Sequence, residues 1–238
     1  MKIITLSMSP YKEKDAIYNA ISETGYVTFR VRGGLDNKSP FVWLNNVLTI
    51  ADVELNADKR SNYLSLKDAK PISSSLISKT DFNYLTSVSV IAQIARTMFE
   101  ESDVHNLFSD IEMALQALKY GKDHLMVVLI FLARCTKKAG AEINVDCCVH
   151  CGATSDIVNL SFEEGGFVCR RCDSSEIEHI FNPSQMKLVR YVYKSPNYSC
   201  IGSEVFREED KKYVLKCIRE YVYDSVGVNL TSIENLFK

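Results

Sequence analysis

The sequence lacks the short motifs that mark the commonest enzyme classes. It contains no GxxxxGK[ST] phosphate-binding loop, no GxGxxG dinucleotide fingerprint, no GxSxG nucleophile turn and no HExxH zinc-protease motif. Only four histidines are present, and none stands in a recognisable catalytic arrangement. Nucleotide hydrolysis and the common hydrolase mechanisms therefore have no support, and we expect a protein that is not an enzyme.

Long hydrophobic segments are also missing. The longest apolar run, residues 125–133, is too short to span a bilayer and suits a buried helix. Residues 1–6 are followed by polar residues and lack the apolar stretch and cleavage site of a signal peptide. We therefore expect a cytoplasmic protein with no membrane contact, in which cysteines stay reduced.

Positive charge is scarce for a nucleic-acid-binding protein. The chain has 28 Lys and Arg against 30 Asp and Glu, for a net charge of −2. Residues 1–80 carry 11 basic and 8 acidic residues, whereas residues 143–182 carry 2 and 7. A phosphate-binding face is therefore expected in the N-terminal part of the chain rather than around the cysteines.

The first 72 residues have the pattern of short strands and turns. β-Branched and aromatic residues are concentrated at 3–8, 26–32, 47–55 and 63–66, and residues 56–62 look like a turn. About five short strands in this length indicate a small closed β-barrel. Residues 15–23 are also compatible with an internal helix.

Helical periodicity replaces the strand pattern after Pro71. Ser73–Ser75 reads as a linker, and Asp81 is placed to cap the first helix. The helices are predicted at 82–99, 104–119, 122–138, 184–194 and 204–225. The fold class is thus α+β, with a first domain at 1–76 and a helical domain at 77–238.

Four of the eight cysteines form two CxxC pairs separated by 17 residues: Cys148, Cys151, Cys169 and Cys172. This spacing is typical of structural zinc ribbons, because each tight turn points two sulfurs at one ion and two turns complete a tetrahedron. Four thiolates leave no position for water or substrate, so the ion would stabilise structure. Four buried reduced thiols and an iron–sulfur cluster are the alternatives.

Four residues beside these cysteines have alternative roles. Cys147 and His150 compete as ligands, although a packed Cys147 and a solvated His150 are the simpler interpretation. Arg170 and Arg171 are interpreted either as hydrogen-bond donors to the sulfurs or as contacts to nucleic-acid phosphates.

Several stretches together resemble the RecO family of bacterial recombination mediators. They are GAEI at 140–143, CxxCG at 148–152, LSFEEGG at 160–166, CxxC at 169–172, YKEKD at 11–15, TG at 24–25, VRGG at 31–34 and KS at 38–39. The resemblance is strongest around the cysteines and weakest in the helices. The family commonly has a lysine where this chain has Gly33.

The resemblance implies an N-terminal OB-fold, a helical domain and an inserted zinc ribbon at about 146–178. It implies binding to single- and double-stranded DNA and annealing of complementary strands. It also implies work with RecR and with the C-terminal tail of single-strand-binding protein, indirect loading of RecA, and association with the bacterial nucleoid during repair.

The OB-fold suggests which residues contact DNA. Arg30 and Arg32 alternate along one predicted strand and would share a face, and Lys38 follows in the next loop. Tyr26 and Phe29 are candidate stacking residues, although Phe29 is favoured as barrel core. Two rival functions remain, a zinc-ribbon adaptor that binds only proteins and a zinc hydrolase.

Overall fold

The computed structural model describes residues 1–57, 63–73, 81–173 and 181–237. The chain divides into two compact units, Met1–Lys119 and Tyr120–Lys238. The predicted turn at 56–62 lies mostly outside the described residues, as do Ser74 and Ser75 of the linker, the 76/77 domain boundary and the end of the predicted ribbon.

The first unit begins with a closed five-stranded barrel. Its strands are β1 (Lys2–Tyr11), β2 (Asp15–Ser22), β3 (Gly25–Val31), β4 (Ile50–Ala57) and β5 (Leu64–Ser73). They pair in the order β1-β2-β3-β5-β4 and close through β1 and β4, and only β3 and β5 run parallel. A five-stranded Greek-key barrel of this kind is the OB-fold, which confirms the predicted fold class.

Residues 15–22 form a strand and not a helix. Ala16, Tyr18 and Ala20 are buried, while Ile17 and Asn19 between them are partly exposed. This alternation has a period of two residues and puts one face of β2 inside the barrel. Phe29 lies in the same core, as predicted, and its ring stacks on Tyr18 with centroids 5.5 Å apart.

The helices are α1 (Phe82–Thr97), α2 (Phe108–Lys119), α3 (His124–Lys138), α4 (Pro183–Lys194) and α5 (Glu208–Val226). Asp81 caps α1 by accepting a hydrogen bond from the Tyr84 backbone, as predicted. The predicted helix at 104–119 is instead a short 3-10 turn followed by α2. No helix in the described parts of the chain is long and apolar enough to cross a membrane.

The second unit holds α3 at its centre. Residues 125–133 of α3 are all buried, which confirms the prediction from its apolar run. Between α3 and α4 the chain forms a two-stranded antiparallel hairpin, β6 (Ile157–Ser161) and β7 (Gly166–Cys169). The first CxxC pair precedes this hairpin, and the second begins at Cys169, the last residue of β7.

Candidate metal centre and nucleic-acid surface

The first cysteine pair lies on a tight turn before β6. The backbone N–H of Cys148 donates to the Ala153 carbonyl at 2.8 Å, and the N–H of Gly152 donates to the Cys148 carbonyl at 2.9 Å. Gly152 has a φ of +72°, a left-handed conformation that glycine adopts without steric cost. Gly152 therefore allows the tight turn that directs the Cys148 and Cys151 sulfurs toward one point.

The second pair forms a matching turn at the end of β7. The backbone N–H groups of Cys172 and Asp173 both donate to the Cys169 carbonyl, at 2.9 Å and 3.0 Å. β7 is paired with β6, so Cys169 is held by the hairpin while Cys172 lies on the turn that follows it. The hairpin thus fixes the second pair against the first.

The four sulfurs converge on one point. Their ligand atoms all lie within 4.8 Å of one another, and the Cys151 and Cys169 sulfurs are 3.5 Å apart. A tetrahedral zinc with Zn–S bonds of about 2.3 Å requires sulfurs roughly 3.8 Å apart. The donor set and its spacing therefore fit one tetrahedral metal ion.

The thiols strongly influence one another's ionisation. Burial raises the pKa of Cys148, but hydrogen bonds from the backbone of Cys169, Cys151 and His150 outweigh it and lower that pKa to about 6. The hydrogen bond with Cys151, together with burial, raises the pKa of Cys172 to about 12. Thiols this close cannot all ionise without a cation, and a divalent metal would supply that charge.

The neighbours of the cluster have partners of their own. Among the described residues, the group that could hold a metal leaves out Cys147 and His150. The imidazole of His150 lies 2.6 Å from the Glu164 carboxylate. The Asn144 side-chain amide donates to the Cys147 sulfur at 3.7 Å.

The two arginines beside the cluster interact differently. The Arg171 guanidinium donates to the Cys151 sulfur at 3.7 Å, which matches the first interpretation of this residue. Arg170 is mostly exposed and pairs with the Asp156 carboxylate at 3.3 Å. A role for either in DNA contact stays a prediction.

The backbone packs closely beneath the hairpin. The backbone N–H of Asn144 donates to the Gly165 carbonyl at 2.8 Å, and that of Phe167 donates to the Asn144 carbonyl at 2.9 Å. A Cβ added at Gly166 would lie 2.5 Å from the Asn144 carbonyl oxygen and 2.7 Å from a Val149 methyl carbon. Only glycine fits this position, which joins the first cysteine turn to the hairpin.

The three residues predicted to contact DNA in the barrel have distinct environments. The Arg30 side chain is largely buried, and its Nη2 and Nε donate to the Asp15 carboxylate at 2.5 Å and 2.9 Å. Arg32 lies one residue beyond the end of β3 and is exposed. Lys38 is exposed in the loop between β3 and β4.

The two aromatic candidates have different environments. Phe29 is inside the barrel, and burial together with Glu101 raises the pKa of the half-buried Tyr26 to about 12. Two further tyrosines that the sequence analysis did not single out, Tyr11 and Tyr63, have rings that meet edge to face at the surface. Tyr11 directly precedes the Lys12–Lys14 turn, but no local pattern links it to Tyr63.

Comparison with known proteins agrees with this architecture. The model of the family described as "Recombination protein O C terminal" matches residues 79–234, which include all four clustered cysteines. The chain belongs to the recombination protein O family. That family model covers about two thirds of the chain, and it extends from just before α1 to Glu234, beyond the end of α5.

Relatives named DNA repair protein RecO extend the match through the barrel. The RecO protein of Halalkalibacterium halodurans is 23% identical over 232 residues, which cover 96% of this chain and 90% of the relative. That of Enterococcus faecalis is 25% identical over 238 residues, covering 97% and 88%. The similarity to these recombination protein O relatives therefore spans both compact units.

Proposed function

We propose that this chain is a DNA repair and recombination mediator of the bacterial cytoplasm. In this proposal it binds single- and double-stranded DNA, anneals complementary strands, and acts with RecR to help load RecA onto DNA coated with single-strand-binding protein. The observation that carries the proposal is full-length similarity to proteins named DNA repair protein RecO, joined to a closed OB barrel. OB barrels bind single strands by combining a groove for the backbone with aromatic side chains that stack on bases.

The metal in this proposal is one zinc ion per chain, bound by Cys148, Cys151, Cys169 and Cys172. Four thiolates at tetrahedral spacing favour zinc. The buried cluster around them is small, and two of its three fully buried members, Cys148 and Cys169, are themselves clustered cysteines. The ion would join the two cysteine turns and have no open coordination position. Its role is therefore to stabilise the ribbon, with no part in a chemical step.

Annealing needs no covalent chemistry, which agrees with the lack of a phosphate-binding loop. It requires that phosphates be neutralised, that two strands be held close, and that the coating protein be displaced. The barrel is proposed to contact the strands. Arg32 and Lys38 are its exposed phosphate contacts, and Arg170 is a further candidate on the ribbon.

The partner contact is proposed for a groove in the second unit. A cavity of about 1040 Å³ lies between the C-terminal ends of α3 and α4 and the segment that leads into the ribbon. Val145 and Val192 contribute apolar floor. Basic side chains outnumber acidic ones in the lining, four (Arg134, Lys137, Lys138 and Lys194) to two (Glu142 and Asp146), although Lys137 pairs with Glu142 and Lys194 with Asp146. An apolar groove with a basic rim suits a short acidic peptide, and we assign the tail of single-strand-binding protein to it.

The test is annealing of complementary fluorescent oligonucleotides coated with the cognate single-strand-binding protein. We expect the purified protein to accelerate annealing without ATP, and only when the coating protein retains its C-terminal tail. The double variant Lys137→Glu, Lys194→Glu should no longer accelerate annealing of the coated strands, even when the coating protein has its tail. Its annealing of naked strands should stay unchanged. No acceleration at low salt, with naked or coated strands, would contradict the mediator function.

A zinc-ribbon adaptor without DNA binding is the second candidate. It is favoured by the net charge of −2 and by the pairing of Arg30 with Asp15, which reduces the positive charge of the barrel. Fluorescence anisotropy with a labelled single strand separates the two candidates, because the adaptor would bind the partner tail and no DNA.

A further inference from the structure

Two tyrosines meet on the surface at one end of the barrel. Tyr11 is the last residue of β1, and Tyr63 directly precedes β5. Their ring centroids are 6.1 Å apart with an angle of 72° between the ring planes. Tyr63 is 37% exposed and Tyr11 is half-buried, whereas the stacked pair Tyr18 and Phe29 is sealed inside the barrel.

The pairing of the strands brings these two rings together. In the hairpin of β1 and β2, Tyr11 is paired with Asp15. Arg30 of β3 is paired with Ser65 near the start of β5. The parallel contact between β3 and β5 therefore places Tyr63 at the same barrel end as the β1–β2 turn.

Two cations lie against the Tyr11 ring. The Arg30 guanidinium carbon is 5.5 Å from the ring centroid, and the Lys12 ammonium is 5.3 Å from it. Asp15 holds Arg30 in this place and also accepts a hydrogen bond from the Gly33 backbone at 2.9 Å. Since Asp15 offsets the charge of Arg30, that arginine acts mainly by fixing the position of the Tyr11 ring.

We propose that Tyr11 and Tyr63 form a stacking platform for the bases of single-stranded DNA, with Lys12 contacting an adjacent phosphate and Arg30 positioning Tyr11. This inference rests on the proposed function and specifies how the barrel binds its ligand. Aromatic rings stack on every base, so the platform gives affinity without sequence preference. Stacking also compensates for the low positive charge of this barrel.

The test compares two oligonucleotides of equal length, one of thymidines and one abasic, which carry the same phosphates. We expect wild type to bind the thymidine strand at least about tenfold more tightly, equivalent to about 1.4 kcal/mol. The double variant Tyr11→Leu, Tyr63→Leu should reduce this preference to about twofold. The slope of its log affinity against log salt concentration should stay unchanged, because that slope reports phosphate contacts.

Matched variants separate stacking from folding. Tyr11→Phe with Tyr63→Phe keeps both rings and should retain the preference for bases. Tyr223→Leu removes an exposed tyrosine from α5 and should have no effect. If the double leucine variant is less stable by circular dichroism, Tyr63→Leu alone should still weaken base-dependent binding, since that ring is exposed.

The outcomes distinguish this inference from the proposed function. If wild type binds the thymidine strand and the leucine variants keep its full preference over the abasic strand, the platform is wrong and DNA binding stands. Equal binding of wild type to both strands would also overturn the platform. If wild type binds neither strand, the proposed function fails together with this inference.

Discussion

Gly166 lies at a position in the ribbon where a side chain does not fit. Its missing side chain lets the backbones of Asn144 and β7 approach each other, and they form a short parallel bridge there. An added methyl group would overlap backbone and would not merely displace a flexible side chain. The bridge joins the segment leading into the first cysteine turn to the hairpin carrying the second.

Gly166→Ala should destabilise the protein by about 1–3 kcal/mol, because overpacked sites must shift backbone to relieve the clash. Urea unfolding of the zinc-loaded protein measures this change. Gly25→Ala is the matched control, since a Cβ there meets nothing within 4 Å and its φ is not positive. An unchanged midpoint for Gly166→Ala would show that the bridge is not a close contact in solution.

At the scale of elements, α4 and α5 are joined through one buried carboxylate. Asp210, in the first turn of α5, accepts hydrogen bonds from the side chains of Asn182 at 3.3 Å, Ser184 at 3.1 Å and Arg207 at 3.1 Å. Burial raises the pKa of Asp210, but these hydrogen bonds outweigh burial and lower the pKa below its ordinary value of 3.8. The ionised form is therefore favoured by folding.

Asp210→Asn should reduce the free energy of unfolding by about 1–3 kcal/mol at neutral pH. Because the folded-state pKa is lowered, the stabilisation is present above the unfolded pKa and is lost as the pH falls through the folded value. The difference between wild type and variant should thus shrink in acid. Thermal melts at neutral and acidic pH measure it, with the exposed Glu209→Gln as control. A difference independent of pH would contradict the ionised network.

The ribbon is the element whose folding we expect to depend on metal. Cys148→Ser removes a clustered sulfur, whereas Cys147→Ser changes the adjacent residue outside the cluster. Elemental analysis should give about one zinc per chain for wild type and Cys147→Ser, and much less for Cys148→Ser. Only Cys148→Ser should lower the melting temperature, because metal binding and folding are coupled. Loss of zinc from both variants would mean that the ligand set includes Cys147.

At the scale of the whole molecule, a net charge of −2 predicts that DNA binding involves few phosphate contacts, so that affinity falls only gradually as salt is added. Arg32→Ala should flatten the plot of log affinity against log salt by about 0.7, the value for one phosphate contact on a single strand. Lys216→Ala on α5 should leave the slope unchanged. Anisotropy titrations at several salt concentrations measure both, and an unaltered slope for Arg32→Ala would remove this residue from the DNA-binding surface.

The sequence by itself determined the features that depend on local pattern. The spacing of Cys148, Cys151, Cys169 and Cys172 predicted one cluster, since two tight turns can reach only one ion. Helical periodicity and Asp81 located the start of α1. The stretch 125–133 revealed a buried helix, because a segment apolar on all sides has no solvated face.

Only the tertiary structure decided what depends on contacts between distant segments. Residues 15–22 were ambiguous in sequence and became a strand because pairing with β1 and β3 satisfies their backbone hydrogen bonds. The strand pattern of the sequence predicted Arg30 to be an exposed DNA contact. In the structure, its guanidinium donates a hydrogen bond to the carboxylate of Asp15, fifteen residues earlier in the chain. Tyr11 and Tyr63 meet because the parallel pairing of β3 and β5 joins strands that are far apart in the chain.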